Sequence, residues 1–136
     1  MRSFSVGCIL AASATLAACA TGPSARCKTD EQPAVLESLY FGTATPDGAV
    51  TAEQWSEFLE KVVTPRFPHG LTVTEARGQW QMQSGVIERE TTYVVQLMHP
   101  DTPQIDAAVG EITRAYKQQF QQEAVLRSRS HVCTAF

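Results

Sequence analysis

The sequence predicts an α+β domain of the ferredoxin-like kind, βαββαβ, with a four-stranded antiparallel sheet and two helices on one face. Three observations carry this. Four stretches alternate apolar and polar residues with period two. Two others repeat apolar residues at helical spacing. Their order is strand, helix, strand, strand, helix, strand, the split βαβ pattern. With 136 residues, one domain is expected.

The first strand lies within Val35–Thr43, where Leu39 and Phe41 face one way and Ser38 and Tyr40 the other. Pro46-Asp47-Gly48 turns the chain. Thr51 then opens a helix, with Gln54 three residues on completing a capping box. Trp55, Phe58, Leu59 and Val62 form its apolar stripe, and Pro65 and Pro68 end it. The second strand lies within Leu71–Met82, and its broken alternation predicts a bulge or bend at Gly78. Gln83-Ser84-Gly85 connects it to the third strand, Glu88–Met98. There Tyr93, Val95 and Leu97 oppose Glu90, Thr92 and Gln96. Thr102 caps the second helix, with Pro103 at its first position. Its buried stripe is Ile105, Ala108, Val109, Ile112, Tyr116 and Phe120. Ala124–Cys133 is the fourth strand, with Leu126 and Val132 on one face and Arg127, Arg129 and His131 on the other.

The N-terminal residues follow a different logic. Arg2, a short apolar run from Phe4 to Ala12 and small residues up to Cys19 match a secretion signal over 1–18. The run is too short for a comfortable transmembrane helix, which needs about 20 apolar residues. Leu16-Ala17-Ala18-Cys19 resembles the bacterial lipobox. That resemblance implies a diacylglyceryl thioether on Cys19, cleavage before it and acylation of the freed amine. Two or three acyl chains anchor a protein stably in a membrane. Ala20 after the cysteine favours the outer membrane facing the periplasm, by analogy with enterobacterial sorting. Residues 19–33 read as a lipidated tether and 34–136 as the folded domain. The two other mature cysteines, Cys27 and Cys133, are expected to form a disulfide in an oxidising compartment.

Composition excludes several classes. The formal net charge is −3, with 11 basic and 14 acidic residues, so nothing draws the chain to nucleic acid. No CxxC occurs, and His69, His99 and His131 share no ligand spacing, so no metal site is expected. The prolines beside His69 and His99 suggest solvated loop histidines. No GxSxG, Walker or dinucleotide motif is present, and no cofactor is implied.

The sheet face away from the helices is the principal candidate surface. Alternation places Tyr40, Glu90, Arg127 and Arg129 there, with Trp80 joining them according to the bend at Gly78. Such a group could simply pair across strands on a solvated face or meet a second copy of the chain, or it could hold a small polar ligand or an envelope protein. Arg66, between Pro65 and Pro68, is either an anion ligand or a brace on a helix end. The functional expectation is a lipid-anchored envelope binding module with no assigned catalytic residue. The alternative is a small-molecule enzyme of the dimeric α/β-barrel type, monooxygenase- or isomerase-like, resting on fold analogy.

Tyr40-Phe41-Gly42, Trp55 with Phe58, Val63-Thr64-Pro65-Arg66-Phe67-Pro68 and Gly70-Leu71-Thr72-Val73 also resemble a known family. Gly78-Gln79-Trp80 and Tyr116 through Gln122-Glu123-Ala124-Val125-Leu126-Arg127 extend the likeness. It is the group of bacterial secreted proteins known as domain of unknown function 3574, and it covers about Leu39 to Phe136. The resemblance implies export, often as a lipoprotein, and no established activity. The family usually has Asp where this chain has His69, which argues against His69 as a catalytic group. Replacing Cys19 by Ala is expected to abolish labelling by palmitate analogues in cells, and unchanged labelling would refute the lipobox reading.

Overall fold

The computed structural model describes residues 27–135; the signal segment, Cys19 and the first part of the expected tether lie outside them. Strand β1 spans Gln32–Gly42, so the last two residues of the expected tether already belong to the sheet. A small hairpin follows, β2 (Ala44–Thr45) and β3 (Gly48–Ala49). Then come α1 (Ala52–Phe58), a π-helical turn (Leu59–Val63), β4 (Thr72–Gln81), β5 (Ile87–His99), α2 (Pro103–Phe120) and β6 (Leu126–Thr134). The four long strands form one sheet in the order β4-β5-β1-β6, each neighbouring pair antiparallel. The architecture is a mixed α/β domain with a four-stranded antiparallel sheet and two helices. No described helix is long and apolar enough to cross a membrane.

Central strand β1 organises the core. Its inward residues Val35, Glu37, Leu39 and Phe41 are fully buried. Trp55 and Phe58 of α1 and Val109, Ile112, Tyr116 and Phe120 of α2 join Leu39, Phe41, Val95 and Leu97 in one apolar cluster, so both helices cover the same sheet face. Phe41 has the rings of Trp55, Phe58 and Tyr116 at centroid distances of 5.2, 6.0 and 4.8 Å. Trp55 also stacks flat on Tyr93 at 4.4 Å. Each such aromatic pair adds about 0.5–1.5 kcal/mol beyond burial.

Local signals set the helix ends as expected. Thr51 and Gln54 bond reciprocally in the capping box, and Thr102 Oγ1 accepts from Ile105 N–H ahead of α2. Two local expectations are corrected. Beyond Phe58 the helix widens into the π-turn, with Thr64 N–H bonding Leu59 O, and the extra residue puts Val63 rather than Val62 in the core. The β4–β5 register runs unbroken from Thr72 opposite Gln96 to Gln81 opposite Ile87, so there is no bulge at Gly78. Gly78 serves packing instead, because a Cβ there would collide with Thr92 Oγ1.

At the other end of the sheet, Cys133 pairs with Pro33 across β1 and β6. Cys27 folds back onto it in disulfide geometry, with Cα atoms 5.5 Å apart and an S–S distance of 2.05 Å. This loop closes over a sequence separation of 106 residues, so the bridge is expected to contribute about 2–5 kcal/mol. The double replacement Cys27→Ser with Cys133→Ser should lower the unfolding free energy by that amount in urea titrations. Two alkylatable thiols in the untreated protein would show that the bridge is absent.

Candidate functional site

Charged groups divide between the two sheet faces, and the division decides where a ligand could sit. On the helix face lies Glu37, a carboxylate with no exposure. Arg127, beside it on β6, grips it in a two-point contact: Nε donates to Oε1, and Nη2 donates to Oε2 at 2.8 Å. Nη2 also reaches Asp106 Oδ1, in the first turn of α2, at 2.7 Å. Hydrogen bonding to Glu37, then to Asp106, holds the guanidinium even more firmly protonated than usual, against the opposing effect of burial. His99 Nε2 stands 3.4 Å from Glu37 Oε2, while its Nδ1 lies 2.8 Å from Pro100 O. Further out, Asp101 binds His131 at 3.0 Å and Arg129 at 2.7 Å, and these bonds, that of His131 first, lower its carboxyl pKa.

This cluster corrects three expectations. Arg127, Arg129 and His131 alternate as predicted, but they point to the helix side rather than the open face. The register sets Arg127 opposite Leu39 and Arg129 opposite Glu37, and directly paired residues share a face. Leu126, expected inside, is 51% exposed on the open side. His99 is buried rather than solvated, because β5 runs one residue further than predicted and its alternation turns the imidazole inward. Arg66 takes the bracing role. It donates to Val62 O at 2.8 Å and to Glu111 Oε2 at 3.2–3.3 Å, tying the π-turn to α2.

The open face carries the candidate site. A cavity of about 630 Å³ lies at the Gly42 end of the sheet, within the ordinary range for small-molecule pockets. The sheet supplies its floor, the hairpin after β1 one wall, and the Gln121–Ala124 connection another. Tyr40, Trp80 and Glu90, three of the residues expected on this surface, all line it. Trp80 is 43% exposed, a large aromatic surface open to a ligand.

Glu90 is positioned by absence of bulk. A Cβ on Gly42 would overlap the Glu90 carboxylate, so glycine at that position makes its seat. There Oε2 accepts the Ala44 N–H at 2.6 Å. Beneath, the Tyr116 hydroxyl donates to Gly42 O at 2.8 Å. Burial, with Glu90's charge adding to it, pushes the Tyr116 phenol far above its usual pKa, so it remains a donor. Gln122 completes the wall by bonding Ala44 O and Phe120 O through Nε2.

Glu88, Gln122 and Gly42 were not picked out as site residues by sequence reasoning. The usable signals were the alternation of Glu88 with Glu90 and the two glycines, Gly42 and Gly78, inside otherwise regular strands. Cys27, Glu31 and Cys133 bring three potential ligand atoms within 4.8 Å of one another. With the two sulfurs bonded to each other they offer no thiolate to a metal.

Fold and cavity together define a small antiparallel α/β domain with a ligand-sized pocket on its open sheet face. The chain belongs to the family described as "Protein of unknown function (DUF3574)", which matches residues 36–136. No curated protein matches it. Among solved structures it is similar to a phage SAM lyase in complex with S-methyl-5'-thioadenosine, with TM-score 0.58 and 11% identity over 85% of this chain and 97% of that one. It also matches CutA from Synechococcus elongatus, with TM-score 0.49 and 11% identity over 79% of this chain and 82% of that one. At such identity the likeness to the phage protein is one of fold.

The buried carboxylate makes a sharp distinction between the two β6 arginines. Arg127→Ala should cost about 3–5 kcal/mol, because it strands Glu37 without its cation. Arg129→Ala, which loses only exposed pairs, should cost less than about 1 kcal/mol. Chemical denaturation of both variants measures this, and equal losses would contradict the assignment.

Proposed function

We propose that this protein is a lipid-anchored bacterial envelope protein that binds a small molecule in the cavity at the Gly42 end of its open sheet face. The observation that carries the reading is the convergence of Tyr40, Trp80 and Glu90 on one pocket of metabolite size. Anchorage at Cys19 is supported by the lipobox-like Leu16-Ala17-Ala18-Cys19 behind a charged start and an apolar run. We read the strand order β4-β5-β1-β6, with helices in the β1–β4 and β5–β6 connections, as the split βαβ or ferredoxin-like arrangement.

Binding is favoured over catalysis by the position of Arg127. A guanidinium beside Tyr40 and Glu90 would have suited an enzyme site, but Arg127 is engaged with Glu37 on the opposite face. The phage protein of similar fold was captured with S-methyl-5'-thioadenosine, which makes that nucleoside thioether one reasonable member of a ligand panel.

Native mass spectrometry of the gently extracted lipoprotein is expected to show a co-purifying small molecule. Trp80→Ala should remove it while lowering the unfolding free energy by only about 1 kcal/mol, since the indole lies on the open face and is 43% exposed. A ligand retained in full by Trp80→Ala would place binding elsewhere.

A further inference from the structure

We infer that the pocket selects an organic cation, a molecule with an ammonium- or sulfonium-type charge on an apolar body; this rests on the pocket being a ligand site. The cavity is lined by three carboxylates, Glu88, Glu90 and Glu123, and among the described lining residues there is no Lys, Arg or His. None of the three carboxylates takes part in an ion pair with the described residues, although eight such pairs are formed elsewhere. Glu90 Oε2 is satisfied by the Ala44 N–H, and no described donor reaches Oε1. Unneutralised carboxylates around a concave, low-dielectric wall focus a negative potential into the cavity.

The remaining walls determine what kind of cation fits. Trp80 and Tyr40 present ring surfaces, and an indole face attracts a cation by about 0.5–2 kcal/mol depending on how dry the contact is. Met82 and Leu126 add apolar surface for the ligand's body. A bare metal ion suits this site poorly, because the three carboxylates do not form a group with oxygens within 4.8 Å of one another. Dispersed charge with aromatic and aliphatic walls matches a diffuse organic cation, which needs no close coordination shell.

Three probes of nearly equal shape test the inference by titration calorimetry on the lipid-free domain with its disulfide intact: phenyltrimethylammonium, its neutral isostere tert-butylbenzene, and the anion benzenesulfonate. The cation is expected to bind at least 10-fold more tightly than either of the others. Glu90→Gln should weaken the cation about 10-fold and leave the neutral probe unchanged. If the neutral probe or the anion binds as well as the cation, the charge selection is wrong while the pocket stands. Failure of all three to bind would overturn the pocket itself as a ligand site.

Discussion

The structure depends on a carboxylate buried in the middle of its central strand. Glu37 lies between Val35 and Leu39 in the inward series of β1, with no exposure to water. A charge in that position is tolerable only with a well-placed counter-charge, since desolvation costs several kcal/mol. The two-point grip of Arg127 answers that requirement, and to give it β6 must present its basic residues to the helix side. The same guanidinium then engages Asp106 in the first turn of α2, where an acidic side chain also complements the helix dipole. One buried acid thereby sets the facing of an edge strand and docks the start of a helix.

Its influence extends to the far face. With Arg127, Arg129 and His131 all turned inward, the outward residues of β6 are Leu126, Ser128, Ser130, Val132 and Thr134. Across the outward positions of the four long strands, the only charged residues are Glu88 and Glu90. The lack of basic residues on β6's share of this face is thus a consequence of how the core was neutralised. The two faces also meet physically at Gly42. Its carbonyl is held from below by Tyr116, and its missing side chain leaves the space occupied above by Glu90.

Most of the fold was legible because it rests on periodicity and caps. The stripes of both helices, the Thr51–Gln54 box, the Thr102 cap and the alternation within β1 and β5 all express short-range rules. The errors arose where a long-range pairing decided the outcome. In β6 the alternation was readable but its facing was not, because the strand has weak apolar content on either side. Glu37 was the missing clue. An acid among inward apolar residues calls for a cation on a neighbouring strand, and that would have turned Arg127 inward. For the site, Tyr40, Trp80 and Glu90 were accessible from alternation. The hairpin and the Gln121–Ala124 wall were not, because loop placement depends on contacts such as Gln122 with Ala44 O, 78 positions apart in the chain.

The two ends of β1 have opposite tasks, and their separation bears on how a tethered domain would work. The Gln32 end is fastened through Cys27 and Cys133, close to where the tether enters the sheet. The Gly42 end carries the pocket, together with Tyr40 and the opposing Leu126. The strand contains 11 residues, so at about 3.3 Å per residue the two ends lie roughly 33 Å apart. With the lipid placed at Cys19, tension on the tether would fall on the disulfide and the first pairs of β1 with β6, away from the cavity. The pocket would then lie at the end of β1 opposite the attachment. Were the chain held at Cys19, the bridge would do more than close a long loop: it would fasten the attached end of the sheet, with the pocket at the other.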